Sequence, residues 1–202
     1  MRLVLASRSP RRADLLRAAG YEFEVAPADI DERQHDGEPV SAYVARLAEE
    51  KAAMVGRRVP GAIVIGADTI VVIDGVALGK PSDDVDAGTM LRRLSGRRHD
   101  VLTGVALHAV GRGCCEVART QVDFRVLSVA EIAWYVGSGE PDGKAGAYAI
   151  QGRASRFVTH GGSHWLYFEG RGDARHSHRR AHNNAHIGLA KFEQNRLVGI
   201  RR

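Results

Sequence analysis

The pattern of apolar and polar positions changes its period several times along the chain. The clearest helical pattern covers residues 40–55, where apolar positions recur three, four and seven residues apart. A continuous apolar run at residues 62–66 predicts a buried strand, which residues 69–73 continue or re-enter. Strands and helices that alternate in this way, followed by a long hairpin, predict an α/β fold with a mixed sheet.

Shorter signals predict the remaining elements. Ser9 followed by Pro10 predicts the start of the first helix, and Gly20 predicts its end. Ser82 is predicted to cap a helix that ends near Leu94, and SVAE at residues 128–131 is a capping-box pattern that opens another helix. Further strands are predicted at residues 2–6, 21–26, 101–110 and 116–127, and loops at residues 27–38 and 137–152.

The composition is that of an ordinary globular protein. The chain has 202 residues, of which 44% are hydrophobic and 26% charged, so a disordered chain is excluded and one domain, or one domain with two lobes, is predicted. The cysteines Cys114 and Cys115 are neighbours, which excludes a disulfide scaffold and the spacing of a zinc site. The apolar runs are too short for a membrane span or a signal peptide, so we predict a cytoplasmic protein without a membrane partner.

The net charge of +5 comes entirely from the end of the chain. Residues 1–158 contain 21 basic and 21 acidic residues, whereas residues 159–202 contain 8 and 3, together with six of the nine histidines. Residues 1–158 are therefore predicted to form the folded domain, and residues 159–202 a basic His/Arg-rich tail with no sustained period before about residue 187. We favour a solvated, disordered tail over a tail that binds nucleic acid.

Two arginines lie in the first turn of the first predicted helix. Arg11 and Arg12 oppose the helix dipole there, and an anion held by the helix end and both guanidinium groups would remove this conflict. Simple solvation of both side chains is the alternative.

Two other charged residues interrupt apolar patterns. Lys51 lies on the apolar stripe of its helix, so it must reach out to solvent, pair with a carboxylate or point into a cleft. Asp68 directly follows an apolar run, which predicts a carboxylate at the end of a central strand, where ligands of α/β sheets collect. The alternative for Asp68 is a turn capped together with Thr69.

Glu32 and Lys80 complete the set of candidate charges. Lys80 follows a predicted hairpin that returns the chain towards Asp68, and Glu32 lies in the acidic loop, which is the predicted loop at residues 27–38 and is rich in acidic residues. Patterns of P-loop, dinucleotide-binding and serine-hydrolase sites are absent from the sequence. A polyphosphate and a divalent cation suit the combined set of two carboxylates and four cations, which are Glu32, Asp68, Arg11, Arg12, Lys51 and Lys80.

Six motifs, in order over residues 3–158, resemble the Maf family of nucleoside triphosphate pyrophosphatases. The resemblance implies a mixed twisted sheet with flanking helices and two lobes around a central cleft, as in Maf and ITPase-like proteins. The motifs are SRSPRR at residues 7–12, the loop around Glu32, LAEEKA at 47–52, GADTIVV at 66–72, GKP at 79–81 and KAGAYAIQG at 144–152.

The resemblance also implies an activity and roles for single residues. The family hydrolyses nucleoside triphosphates to the monophosphate and pyrophosphate with a divalent cation, Mg²⁺ or Mn²⁺. This sequence resembles the branch that acts on dTTP and UTP, and modified pyrimidine nucleotides are further candidate substrates. By position, Asp68 matches the proton acceptor of the family, and Glu32 and Asp68 match its metal site. The residues that match its substrate-specificity positions are Arg11, Thr69 and Gln151. The residues that match its phosphate-binding positions are Ser7, Arg12, Lys51 and Lys80.

The tail departs from the family pattern. After Gly162 and Ser163, residues rich in His, Arg and Asn replace the apolar segments that the family has there. A frame-shifted segment and a disordered segment both explain this composition. The alternative to the enzyme is therefore a catalytically impaired nucleotide-binding protein, and a homodimer is left open.

Overall fold

One mixed sheet, flanked by helices, forms the centre of the protein. The computed structural model describes residues 2–167 and 180–181. Within this part of the chain, no helix has the length and apolar character needed to cross a membrane. The strands and helices are β1 (Leu3–Leu5), α1 (Pro10–Ala18), β2 (Glu24–Val25), α2 (Val40–Gly56), β3 (Ile63–Ile73), β4 (Val76–Leu78), α3 (Asp84–Leu94), β5 (Arg98–Ala109), β6 (Arg112–Phe124), α4 (Val129–Val136), β7 (Val158–Tyr167) and β8 (Arg180–Ala181).

The sheet combines parallel and antiparallel pairs. Its strand order is β2-β1-β3-β5-β6-β7-β8, with β4 paired to the far end of β3. The strand β1 is parallel to both β2 and β3, and the other pairs are antiparallel. The predicted α/β class with a mixed sheet is confirmed, and so are the long hairpin of β5 and β6 and the short hairpin between β3 and β4.

Helix α2 packs unusually close to one face of the sheet because two strand residues lack a side chain. A Cβ on Gly66 of β3 would lie 2.1 Å from the carbonyl oxygen of Ala48, and a Cβ on Gly104 of β5 would lie 2.5 Å from that of Val44. Apolar residues of α2 bury themselves against β3 and β5 on both sides of this contact. The two glycines therefore set the distance between the helix and the residues of β3 that face it.

The opposite face of the sheet carries two separate apolar clusters. Helix α1 packs on Leu5 and Ile65 at one end, whereas α3 and α4 pack on Val71 and Ile73 at the other end of β3. Alternation along a strand places Thr69 on this same face, between the two clusters. This division agrees with the two lobes that the resemblance implies.

Some predicted boundaries are wrong. The cap of α3 is Asp83, whose side chain accepts a hydrogen bond from the amide of Asp86, and not Ser82. The strand β2 has only two residues, because it lies at the sheet edge and pairs with β1 alone. Strand β7 continues past Val158 to Tyr167 through its pairing with β6, although no strand pattern was recognised there. Predictions for residues 168–179 and 182–202 lie outside the described residues.

A buried histidine makes the stability of the fold depend on pH. His99 is 3% exposed, shares a 2.8 Å hydrogen bond with the hydroxyl of Tyr148 and packs edge-on against Phe124. Burial lowers the pKa of His99 from 6.5 to about 4, against the opposing influence of Asp100 and Asp123. The unfolded chain thus binds a proton at this residue between these two values, whereas the folded chain does not.

We expect His99→Gln to remove part of the acid sensitivity. Lowering the pH through 6.5 towards 4 should reduce the free energy of unfolding of the wild type by roughly 3 kcal/mol more than that of the variant. Urea unfolding at about pH 7 and pH 4 measures both values. An equal fall in the free energy of unfolding of the two proteins would contradict the assignment of the acid sensitivity to His99.

Candidate active site

A gap in the sheet forms the centre of the site. Along one side of β3, pairing with β1 ends at Ile65 and pairing with β4 begins at Val71. The Nη1 atom of Arg12, from the first turn of α1, donates a 2.8 Å hydrogen bond to the carbonyl oxygen of Ala67 within this gap. An arginine thus occupies the position where a neighbouring strand would otherwise pair.

The guanidinium group of Arg12 also joins polar side chains on both sides of the gap. It donates to the hydroxyl of Ser7 at 3.1 Å and to the hydroxyl of Thr69 at 3.1 Å, and Thr69 in turn is 3.1 Å from the hydroxyl of Thr103. Burial lowers the pKa of Arg12, while Asp68 and Glu32 act against this shift. Arg12 is therefore a largely desolvated cation, and simple solvation does not describe it.

Four of the predicted residues form a continuous chain of ion pairs. The Nζ atom of Lys51 lies 2.5 Å from Oδ1 of Asp68 and 2.7 Å from Oε1 of Glu32. The other oxygen of Glu32 accepts a 2.7 Å hydrogen bond from Lys80. The structure thus joins Asp68 to Lys80, which lie twelve residues apart in sequence, through Lys51 and Glu32.

The four side chains of this ion-pair series change from buried to exposed, from Lys51 and Asp68 to Glu32 and Lys80. The exposed fraction of the side chain is 10% for Lys51 and 16% for Asp68, but 41% for Glu32 and 58% for Lys80. Burial raises the pKa of Glu32, but hydrogen bonds from Lys51 and Lys80 outweigh this and hold the pKa at about 2. Glu32 is therefore a carboxylate at neutral pH, and Lys80 is the cation nearest to solvent.

The sequence predicted that Asp68 lies at the end of a strand, and this prediction is wrong. Asp68 is the sixth of the eleven residues of β3, and β1 ends beside it at the level of Ile65. Alternation along β3 turns Asp68 towards α2, which carries Lys51, and turns Thr69 to the opposite face. Pairing of Lys51 with carboxylates is confirmed over the alternative that it reaches out to solvent, and Asp68 does not cap a turn.

Arg11 and Gln151 share no hydrogen bond or ion pair with this group among the residues that the structure describes. Both side chains are exposed, and neither makes a hydrogen bond or ion pair with another residue of the described part of the chain. Arg11 follows Ser9 and Pro10 at the start of α1, where Ser9 makes no side-chain hydrogen bond to the first turn. Gln151 follows a short 3₁₀ turn at Ala145–Ala147 in the glycine-rich segment.

Sequence patterns did not reveal which residues position the acidic loop. The hydroxyl of Tyr43 donates to the carbonyl oxygen of Glu32, and Arg46 donates to the carbonyl oxygen of Arg33 at 3.0 Å. Both donors lie on α2, and Tyr43 also occupies one of the apolar positions of the helical pattern at residues 40–55. A tyrosine can pack its ring in an apolar stripe and also donate a hydrogen bond from its hydroxyl. The position of Tyr43 in the sequence therefore gave no signal for the hydrogen bond to the loop.

Comparison with known proteins identifies the family of this chain. The model of the Maf-like protein family matches residues 2–164. The chain belongs to this family. Its candidate active site therefore lies within the part of the chain that the family model covers, and every residue described above falls inside it.

Curated relatives of this Maf-like chain share about half of the residues in the aligned part. A protein of Anaeromyxobacter dehalogenans (strain 2CP-C) named dTTP/UTP pyrophosphatase is 55% identical over 161 residues, which are 78% of this chain and 81% of the relative. Proteins with the same name are 55% identical in Myxococcus xanthus and 52% identical in Symbiobacterium thermophilum, and each alignment covers 78% of this chain and 80% or 81% of the relative.

Two carboxylates of this Maf-like site could share a cation with a phosphate ligand. The described residues contain no group of three or more His, Cys, Asp or Glu side chains arranged to hold a metal ion. The Oδ2 atom of Asp68 has no hydrogen bond or ion pair in the described structure, whereas both oxygens of Glu32 are paired with lysines. This donor set fits a cation such as Mg²⁺, which takes one or two carboxylates and completes its shell with phosphates and water.

Proposed function

We propose that the protein hydrolyses dTTP and UTP to the nucleoside monophosphate and pyrophosphate. The chain of ion pairs from Asp68 through Lys51 and Glu32 to Lys80, beside the guanidinium group of Arg12, is the observation that carries this proposal. The names of the relatives supply the substrate class. A catalytically impaired binding protein is not favoured, because the relatives are named as enzymes and share over half of the aligned residues.

Three cations around the gap, Arg12, Lys51 and Lys80, would hold the phosphates. Arg12 is fixed by its bonds to Ser7, Thr69 and the backbone of Ala67, so it presents its charge in a defined position. Lys80 is the exposed cation of the group and can turn from Glu32 to a phosphate oxygen with little cost. Preorganised cations of this kind stabilise the charge that develops on a leaving pyrophosphate.

Asp68 would accept the proton of the attacking water. Lys51 fixes its Oδ1 atom at 2.5 Å, which leaves Oδ2 to face a water molecule and orient it towards the α-phosphorus. Lys51 is held in turn by Glu32, so the carboxylate of Asp68 cannot easily rotate away from its position.

Glu32 and Asp68 are the residues that we propose for a divalent cation, Mg²⁺ or Mn²⁺. Such a cation, when bound, neutralises phosphate oxygens and makes the phosphorus easier to attack. The cation reaches Glu32 only if one lysine gives up its bond, and Lys80 is the more exposed of the two.

The decisive experiment is an assay with a panel of triphosphates. The full chain is incubated with UTP, dTTP, CTP, ATP or 7-methyl-GTP and Mg²⁺ or Mn²⁺, and the nucleotide products are identified by chromatography. We expect UMP and dTMP, each with one pyrophosphate. Formation of diphosphates with inorganic phosphate, or binding of UTP without turnover, would contradict the proposal.

Gln151 is proposed to select the base. Its amide has both a donor and an acceptor, which suits the imide edge shared by uracil and thymine. We expect Gln151→Ala to lower the preference for UTP over CTP by about 10-fold, as loss of hydrogen bonds to a substrate edge does, while the affinity for inorganic triphosphate stays unchanged. Ratios of kcat/KM for the two nucleotides measure this effect, and an unchanged ratio would contradict the role.

The assignments of Arg11 and Thr69 to substrate selection remain proposals of the same kind. A homodimer and a cytoplasmic location are also proposals, which light scattering and cell fractionation can test.

A further inference from the structure

The acidic loop that carries Glu32 has no regular structure of its own. Residues 26–39 contain neither helix nor strand, so the loop depends on its contacts with the rest of the protein. The side chain of Glu32 must nevertheless span the 2.7 Å contacts to Lys51 on α2 and to Lys80 after β4. Something must therefore hold the backbone of this loop at Glu32.

Two side chains of α2 hold consecutive carbonyl groups of the loop. Tyr43 donates its hydroxyl hydrogen to the oxygen of Glu32, and Arg46 donates from Nη2 to the oxygen of Arg33 at 3.0 Å. These two donors lie one turn apart on the helix, and the guanidinium carbon of Arg46 lies 5.5 Å from the centre of the Tyr43 ring. The two side chains therefore contact each other as well as the loop.

Arg46 also fixes the far end of the loop. Its Nε and Nη2 atoms donate to the two carboxylate oxygens of Glu38 at 2.7 and 2.8 Å, and Nη1 contacts Glu50 of the same helix at 3.3 Å. The side chains of Arg46 and Glu38 are 20% and 11% exposed, so these bonds are shielded from solvent. One arginine thus ties residues 33 and 38 to α2.

We propose that Tyr43 and Arg46 are positioning residues, which hold Glu32 where it can bridge Lys51 and Lys80. This inference rests on the proposed function, because it assigns these residues to the same site. Lys51 lies on the helix that carries both donors, so Tyr43, Arg46 and Lys51 fix Glu32 from one element. Among the described residues, neither Tyr43 nor Arg46 hydrogen-bonds to Ser7, Arg12 or Thr69, which hold the other part of the site.

The first test is Tyr43→Phe, which removes one hydroxyl and keeps the ring. Loss of this hydrogen bond should lower kcat for UTP by about 3- to 10-fold. The KM for UTP should change by less than about twofold, because the contacts of Arg12 are untouched. Urea unfolding of the same variant reports whether stability has changed.

A double-mutant cycle with Glu32→Gln separates positioning from a general structural role. If Tyr43 acts through Glu32, Tyr43→Phe should lower kcat by less than about twofold in the Glu32→Gln protein. An equal loss of kcat in both backgrounds, or a loss of stability without a loss of kcat, would overturn the proposal.

Arg46→Met extends the test, with Arg98→Met as the matched control. Arg98 also binds a carboxylate through two nitrogens, at 2.6 and 2.8 Å from Asp123, but it lies on β5 and contacts none of the site residues. Because charge-assisted bonds are stronger than neutral ones, Arg46→Met should lower kcat by about 10- to 30-fold. Arg98→Met should keep kcat within about twofold, and equal losses in the two variants would overturn the proposal.

A binding measurement distinguishes failure of this inference from failure of the proposed function. An inactive wild type would refute the function, whereas an active wild type with additive losses in the cycle would refute only the inference. The affinity for a UTP analogue with an imido group between the α- and β-phosphates is measured by calorimetry in both cases. Arg46→Met should change this affinity by less than about twofold in both the wild-type and the Glu32→Gln backgrounds, because the contacts of Arg12 are untouched, and a larger loss of affinity would count against positioning.

Discussion

Asp68→Asn should lower kcat for UTP by about 10²–10⁴-fold, which is the usual contribution of a general base. The amide has the shape of the carboxylate and can still accept a hydrogen bond from Lys51, but it cannot take a proton from water. Lys51 keeps its 2.7 Å contact with Glu32 in the variant, so it is not left as an unpaired buried cation. We therefore expect an intact fold with little turnover.

The matched control for this prediction is Asp14→Asn. Asp14 also forms an ion pair, at 2.8 Å with Arg17, but its side chain is 69% exposed and lies on the outer part of α1. This variant should keep the kcat of the wild type, since exposed ion pairs contribute little. Steady-state release of pyrophosphate measures both variants, and circular dichroism checks their folding. A folded Asp68→Asn protein with normal turnover would refute the role of Asp68.

Gly66→Ala should have the largest effect on stability. The added Cβ would meet the carbonyl oxygen of Ala48 at 2.1 Å and the amide nitrogen of Ala52 at 2.7 Å, and both are backbone atoms of α2 that cannot rotate away. The helix must therefore move away from β3. We expect the free energy of unfolding to fall by about 3 kcal/mol or more, as is found for strong overpacking of a core.

The same displacement should also affect the site. Lys51 lies between Ala48 and Ala52 on α2, so a shift of the helix lengthens its 2.5 Å contact with Asp68. We expect the folded fraction of Gly66→Ala to have a lower kcat for UTP than the wild type. Urea unfolding and pyrophosphate release measure the two effects separately.

Gly113→Ala serves as the control for Gly66→Ala. Gly113 lies in strand β6, and a Cβ there would come no closer than 3.4 Å to its nearest neighbour, the carbonyl oxygen of Leu107. This variant should change the free energy of unfolding by about 1 kcal/mol or less. Equal destabilisation by the two substitutions would contradict close packing of α2 as the cause.

Elements that depend on local interactions were predicted well from the sequence. The capping box at Ser128 and Glu131 is present with both of its hydrogen bonds, and α2 covers residues 40–56, one residue more than its spacing predicted. The choice between two adjacent capping residues, and the length of a strand at a sheet edge, depend on small energy differences and on neighbours that are distant in sequence. For this reason the cap of α3 was placed one residue early and β2 was predicted to be too long.

The site was only partly predictable from sequence. Lys51 stood out because a charge interrupted an apolar stripe, and Asp68 because a carboxylate followed an apolar run. No local pattern distinguished Tyr43 and Arg46 from the other residues of an amphipathic helix, since their partners lie in a loop whose path is set by tertiary contacts.

The sequence by itself determined the α/β class, the main helices and strands, and a short set of charged candidates, because hydrophobic period and helix capping act over a few residues. Only the tertiary structure decided that Lys51 bridges Asp68 and Glu32 and that Arg12 fills the gap in the sheet. It also decided that the exposed side chains of Arg11 and Gln151 share no hydrogen bond or ion pair with these residues in the described chain. These pairings join residues 17 to 55 positions from one another in the sequence, and those of Lys51 depend on how closely α2 approaches β3. Gly66 and Gly104 set that approach through backbone contacts that no local pattern in the sequence reveals.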